Sequence, residues 1–83
     1  MPTKENYGHI SKPIHSLVEN PDFGRVIFHT WSYKESYNTR TEALILRKRC
    51  GYDIYTKSVS DTELHVIKRG SEDKTPIEVY LGV

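Results

Sequence analysis

Residues Thr39 to Arg69, TRTEALILRKRCGYDIYTKSVSDTELHVIKR, join a helical pattern directly to a β-hairpin pattern, and the rest of the chain is read from them. Thr39-Arg40-Thr41-Glu42 has capping-box spacing: the Thr39 hydroxyl would accept from the Glu42 amide, and the Glu42 carboxylate would reach back. Ala43 to Cys50 follows without Gly or Pro. Gly51 then supplies the left-handed residue that closes a helix, with Tyr52 folding back onto Leu46. Arg47, Lys48 and Arg49 fall in the last turn, where cations complement the partial negative charge of the helix C-terminus. The spacing therefore predicts a main helix over about 40–50. Ala43, Leu46 and Cys50 share its buried stripe. Leu44 and Ile45 lie off that stripe and need cover from the N-terminal segment or a partner, or stay exposed.

Asp53 to Val59 is rich in β-branched and aromatic residues and reads as a strand, Ser60-Asp61-Thr62 as its turn, and Glu63 to Arg69 as the return strand. Alternation puts Ile54, Leu64 and Val66 on the helix side. Tyr55, Lys57, His65, Ile67 and Arg69 then share the other face.

Upstream, Arg25 to Tyr33 reads as a strand apolar on both faces, Val26 and Phe28 on one, Ile27, Trp31 and Tyr33 with His29 on the other. Such a strand is central in its sheet or covered twice, so its second face calls for the N-terminal helix, a partner or a second copy. Lys34 to Asn38 reads as a polar loop. Residues 1–10 carry no periodic signal and read as a loose segment. Ser11-Lys12-Pro13 looks like a helix start, Ile14, Leu17 and Val18 form a short apolar stripe, and Pro21 to Gly24 reads as a turn. Downstream, Ser71 to Pro76 is a charged loop and Ile77 to Leu81 a last strand. The expectation is an α+β fold in a single domain spanning 1–83. It has a roughly four-stranded, mostly antiparallel sheet, with the main helix on one face and a short N-terminal helix. A chain of 83 residues buries only a little over ~60% of its unfolded surface, so the core is small.

Composition narrows the function by exclusion. Twelve basic and eleven acidic residues give a net charge of +1, which is not the profile of a protein that grips nucleic acid by charge alone. Residues 40–70 carry seven Lys/Arg against four acids, so the basic excess is central. The single cysteine excludes an internal disulfide. No apolar run is long enough to span a membrane, and the chain reads as cytoplasmic.

Asp22-Phe23-Gly24 matches the metal-binding tripeptide of protein kinases, but the glycine loop and catalytic loop are missing, so it is read as a turn. The four histidines and Cys50 lack close ligand spacing, so no metal or other cofactor is expected. Cys50 at a helix C-terminus sits where the dipole raises a thiol pKa, which disfavours a nucleophile. Glu63 and His65, with Tyr55 or Lys57 opposite, are the closest approach to an acid–base set, and a small ribonuclease is the remote alternative.

The aromatic and basic set is the main chemical hint. Trp31, Tyr33, Tyr55, Lys57, His65 and Arg69 would line one sheet face, with Arg47, Lys48 and Arg49 at the helix end. Tyr, Trp and Arg anchor protein interfaces. The same set could stack on unpaired bases and hold phosphates. The reading is a non-catalytic protein-binding module: an adaptor, small subunit or inhibitor of a larger machine, phage-encoded inhibitors being one such class. Single-stranded nucleic acid is the alternative partner, no membrane is involved, and a homodimer would satisfy the same apolar excess.

Overall fold

The computed structural model describes residues 3–81, with side chains from residue 9 onward. The order is α1 (Thr3–Glu19), β1 (Phe23–His29), α2 (Tyr33–Cys50), β2 (Ile54–Ser60), β3 (Glu63–Lys68) and β4 (Thr75–Tyr80). The four strands form one sheet in the order β2-β3-β1-β4. β3 pairs antiparallel with both β1 and β2, whereas β4 pairs parallel with β1. The fold is α+β as expected, with a mixed sheet in place of a mostly antiparallel one.

Both helices lie on the same face. Ile10, Ile14 and Leu17 of α1 and Ala43 and Leu46 of α2 join Val26, Phe28, Ile54, Leu64 and Val66 in one buried cluster. The alternation read from the hairpin and from β1 holds on this face. The N-terminal helix does not cover the other face. There Ile67, between Tyr55 and Arg25 in the register, and His65, whose ring meets Arg25 and Glu63, are only 3% and 9% exposed.

Three boundaries differ from the sequence reading by more than two residues. Helix α2 begins at Tyr33, not near residue 40: Ser32, in extended conformation, accepts from the Glu35 amide at 3.1 Å, and the segment read as a polar loop is its first turn and a half. Thr39 is inside the helix, its hydroxyl donating to the Glu35 carbonyl at 2.8 Å. Strand β1 accordingly ends at His29, so Trp31 and Tyr33 leave the sheet. Helix α1 starts at Thr3 and carries Pro13 in its interior. The proline removes one main-chain hydrogen bond, but continuing the helix places Ile10 in the core beside Ile14.

Cys50 is exposed, not turned to the core. It is the last residue of α2, beyond the turn whose Leu46 reaches the sheet. Gly51 closes the helix in the left-handed region at φ 69°, as read. Ile45 remains 41% exposed and Leu44 is half-buried. The C-terminal carbonyls of α1 are served from outside the helix: Lys68 donates to Leu17 O at 2.9 Å and Asn20 O at 3.0 Å.

Candidate functional site

The strand registers arrange the outer sheet face as a grid. One row is Tyr55, Ile67 and Arg25, the next Lys57, His65, Ile27 and Glu78, the third Glu63, His29 and Tyr80. Arg25 donates to His65 Nδ1 at 3.0 Å. A guanidinium can only donate, so Nδ1 accepts and the ring proton sits on Nε2, 2.7 Å from a Glu63 carboxylate oxygen. Both ring nitrogens of His65 are thereby engaged. His29 Nε2 meets Glu78 at 3.0 Å, and its ring stacks on Tyr80 at 4.4 Å. Tyr55 donates to Glu72 at 3.1 Å under the guanidinium of Arg69, which itself bonds Asp53 at 3.0 Å.

These contacts set the local acidities. Glu78 is held below the ordinary carboxylate value by its bond from His29 and then by that from Tyr80. Tyr80 is raised above the ordinary phenol value by the same carboxylate. Tyr55 is raised by desolvation and by Glu72. Arg69 is ion-paired, whereas Arg25 is held by the His65 ring and the Glu72 carbonyl and, like Lys57, has no ion pair among the described residues, so these two side chains are the charge this face offers to phosphate.

The second surface lies where α2 starts beside the edge strand β2. Tyr33, Ser36, Tyr37 and Arg40 of the helix face Thr56 and Ser58 across an open groove of about 370 Å³. Tyr33, Tyr37 and Arg40 follow at i, i+4, i+7 and so share one helix side. Tyr33 is 65% and Tyr37 53% exposed, and Trp31, just before the helix, 64%. Arg40 makes no hydrogen bond or ion pair among the described residues.

The structure thus divides the residues singled out in the sequence into three groups. Tyr55, Lys57, His65 and Arg69 share the outer sheet face, and Tyr55 and Arg69 touch. Trp31 and Tyr33 stand at the α2 start, a correction that follows from the helix beginning about seven residues early. Arg47, Lys48 and Arg49 are exposed in the last turn of α2, at the far end from Tyr33. Sequence reasoning missed Tyr37 and Arg40. Ser32-x-x-Glu35 is itself a capping-box pattern, and recognising it would have placed both on the helix with Tyr33.

No protein-family model, curated protein or solved structure matches the chain. Among the described residues, no group of three or more His, Cys, Asp or Glu side chains could hold a metal ion, and no helix is long and apolar enough to cross a membrane.

Proposed function

We propose that the protein is a non-catalytic binding module, an adaptor, small subunit or inhibitor that grips a protein partner at the α2–β2 corner. One observation carries the reading: Trp31, Tyr33 and Tyr37 are more than half exposed on and beside a capped helix start that flanks a sheet edge. Tyr, Trp and Arg in such a position are the residues that anchor protein interfaces. Tyr and Trp give large contact area for little lost side-chain freedom. The ion-paired outer sheet face supports neither of the other readings well. Only Lys57 and Arg25 stand there without an ion pair among the described residues, a small basic footprint for nucleic acid, and His65 has no free ring nitrogen with which to act as base.

The test is affinity capture from lysate of the protein's own host with the tagged wild type and a Tyr33→Ala/Tyr37→Ala double variant. Half of each lysate is nuclease-treated, and both are washed at low and high salt. The expected result is a protein band that survives nuclease and salt on the wild type and is lost on the double variant. Material that disappears with nuclease and elutes early with salt would overturn the proposal in favour of nucleic acid. Equal capture by both baits would remove the corner from the binding surface.

A further inference from the structure

We infer that the α2–β2 groove takes an extended acidic peptide segment, which adds to β2 as a fifth strand of the sheet. The inference rests on the reading of the corner as a protein-binding surface and specifies its occupant.

The backbone of β2 is prepared for such an addition. β2 is an edge strand. The Arg69 amide donates to the Asp53 carbonyl at 3.1 Å, which fixes the phase of the β2–β3 ladder. Along the antiparallel register, Tyr55 and Lys57 then bond toward β3. Ile54, Thr56 and Ser58 turn their N–H and C=O groups away from the sheet. This open stretch ends at the register shift between Ser58 and Ser60. It measures about 17 Å at ~3.4 Å per residue, enough for a segment of about five residues. The opposite edge, β4, is blunted by Pro76, which has no N–H to give. β2 contains no proline.

The side chains define what fits. Thr56 and Ser58 point to the helix side and line the groove, so alternate side chains of an added strand would fall between them and α2. The lining holds two tyrosines for apolar groups, one cation, Arg40, and no anion. Lys57, the one charged residue of β2, stands at its centre, exposed and without an ion pair among the described residues. On an added strand, a carboxylate on the groove face complements Arg40 and one on the outer face complements Lys57. A second copy of this chain does not: its β2 holds no acid to offer Arg40, and two-fold pairing about Lys57 would set like charges directly opposite, which is unfavourable.

The probe is a phage-displayed library of random linear 12-residue peptides, selected on the full chain in parallel with Arg40→Glu and with Tyr33→Ala/Tyr37→Ala. The expected outcome is enrichment on wild type of sequences that combine apolar residues with Asp or Glu on both faces of a strand, at odd and at even positions. Their affinity should fall about tenfold or more on Arg40→Glu. Binding of a selected peptide should also slow hydrogen exchange at the Thr56 and Ser58 amides while leaving Tyr55 and Lys57, already bonded to β3, little changed. If nothing is enriched on wild type over the double variant, strand addition by a linear segment is overturned, while the corner as a protein-binding surface stands or falls with the lysate capture. Enriched peptides that lack acids, tolerate Arg40→Glu or leave the Thr56 and Ser58 amides unprotected would sink acidic strand addition alone. A dimer in sedimentation of the free protein that separates on Thr56→Pro, with the circular dichroism of the variant intact, would assign the edge to a second copy and overturn the inference.

Discussion

The carbonyl of Ser71 occupies the space where Gly24 would carry a side chain: a Cβ added to Gly24 would overlap that oxygen and come within 3.1 Å of the Lys74 amide nitrogen. The contact follows from topology. β3 and β4 flank β1 on opposite sides, so the chain between them must cross the end of β1, and it crosses at Gly24. Arg25 holds the same loop through the Glu72 carbonyl at 3.1 Å, and Lys74 reaches the Pro21 carbonyl at 3.1 Å.

Gly24→Ala should therefore destabilise by about 1–3 kcal/mol or more, because the obstacle is backbone and cannot swing aside. Gly51→Ala is the instructive comparison. Nothing lies within 4 Å of a Cβ there, but φ is 69°, so the cost is torsional, about 1–2 kcal/mol. Asn at position 51 should recover part of it and Asn at 24 none. Urea denaturation midpoints of the four variants would decide. A Gly24→Ala protein as stable as wild type would mean that the crossover loop does not rest on β1.

Ser32 is the residue that starts α2, and its replacement by Ala should cost about 1 kcal/mol, with Asp retaining most of the wild-type stability. The capping pattern at Thr39-x-x-Glu42 points to a different residue. Because Thr39 is fully buried and bonded to the Glu35 carbonyl, Thr39→Ser should keep the helix and lose only a methyl contact, about 1 kcal/mol. Thermal melts followed by circular dichroism distinguish the two. A Thr39→Asp variant that is tolerated as well as Ser32→Asp would contradict the helix boundary, since a carboxylate at a buried helical position has no exposed amides to cap.

The paired capping patterns also show how far the chain was legible. The facing read from period two in β2 and β3 holds, because one face meets the helices: Ile54, Leu64 and Val66 are fully buried or nearly so, although β3 is buried on its other face as well. Gly51 was readable for a local reason, the left-handed closing residue. Trp31 and Tyr33 were misplaced because aromatic residues fit strands as well as exposed helix starts, and local propensity alone does not say where β1 stops. The parallel placement of β4 has no local signature. It depends on which side of β1 the crossover loop falls, and Gly24 marks that only once Ser71 is seen against it. The groove was hidden for the same reason, since Arg40 and Thr56 meet only through the packing of α2 beside β2.

Trp31 and Phe28 stand three residues apart with opposite surroundings, 64% and 0% exposed. Trp31→Ala should change stability by no more than about 0.5 kcal/mol, in the range of surface substitutions. Phe28→Ala should cost about 3–5 kcal/mol, a large share of the roughly 4–12 kcal/mol expected for a chain of this size. Guanidinium unfolding monitored by circular dichroism measures both. Loss of the fold in Trp31→Ala would make that residue a core element and take it out of the proposed binding surface.

The outer-face carboxylates and phenols bound the pH range of stability from both sides. Glu78 and Glu72 have folded-state pKa values below the ordinary 4.5, Glu78 chiefly through His29 and Glu72 chiefly through a backbone amide bond and then Tyr55. In the interval between folded and unfolded values the unfolded chain binds more protons. Their contribution is therefore complete above about 4.5 and disappears as pH falls through the lowered values. Tyr80 and Tyr55 are raised above the ordinary 10.0, so theirs is complete below about 10 and is lost as pH rises through the raised values. All four groups are open to solvent or nearly so, and salt should flatten both limbs. Glu78→Gln should return the Tyr80 titration, followed by phenolate absorbance against Tyr80→Phe, toward 10. His29→Gln should raise the Glu78 carboxyl, followed by carbon NMR, by more than Tyr80→Phe does, since His29 is the stronger of its two partners. An unchanged Tyr80 titration in Glu78→Gln would show that the His29–Glu78–Tyr80 cluster does not persist in solution.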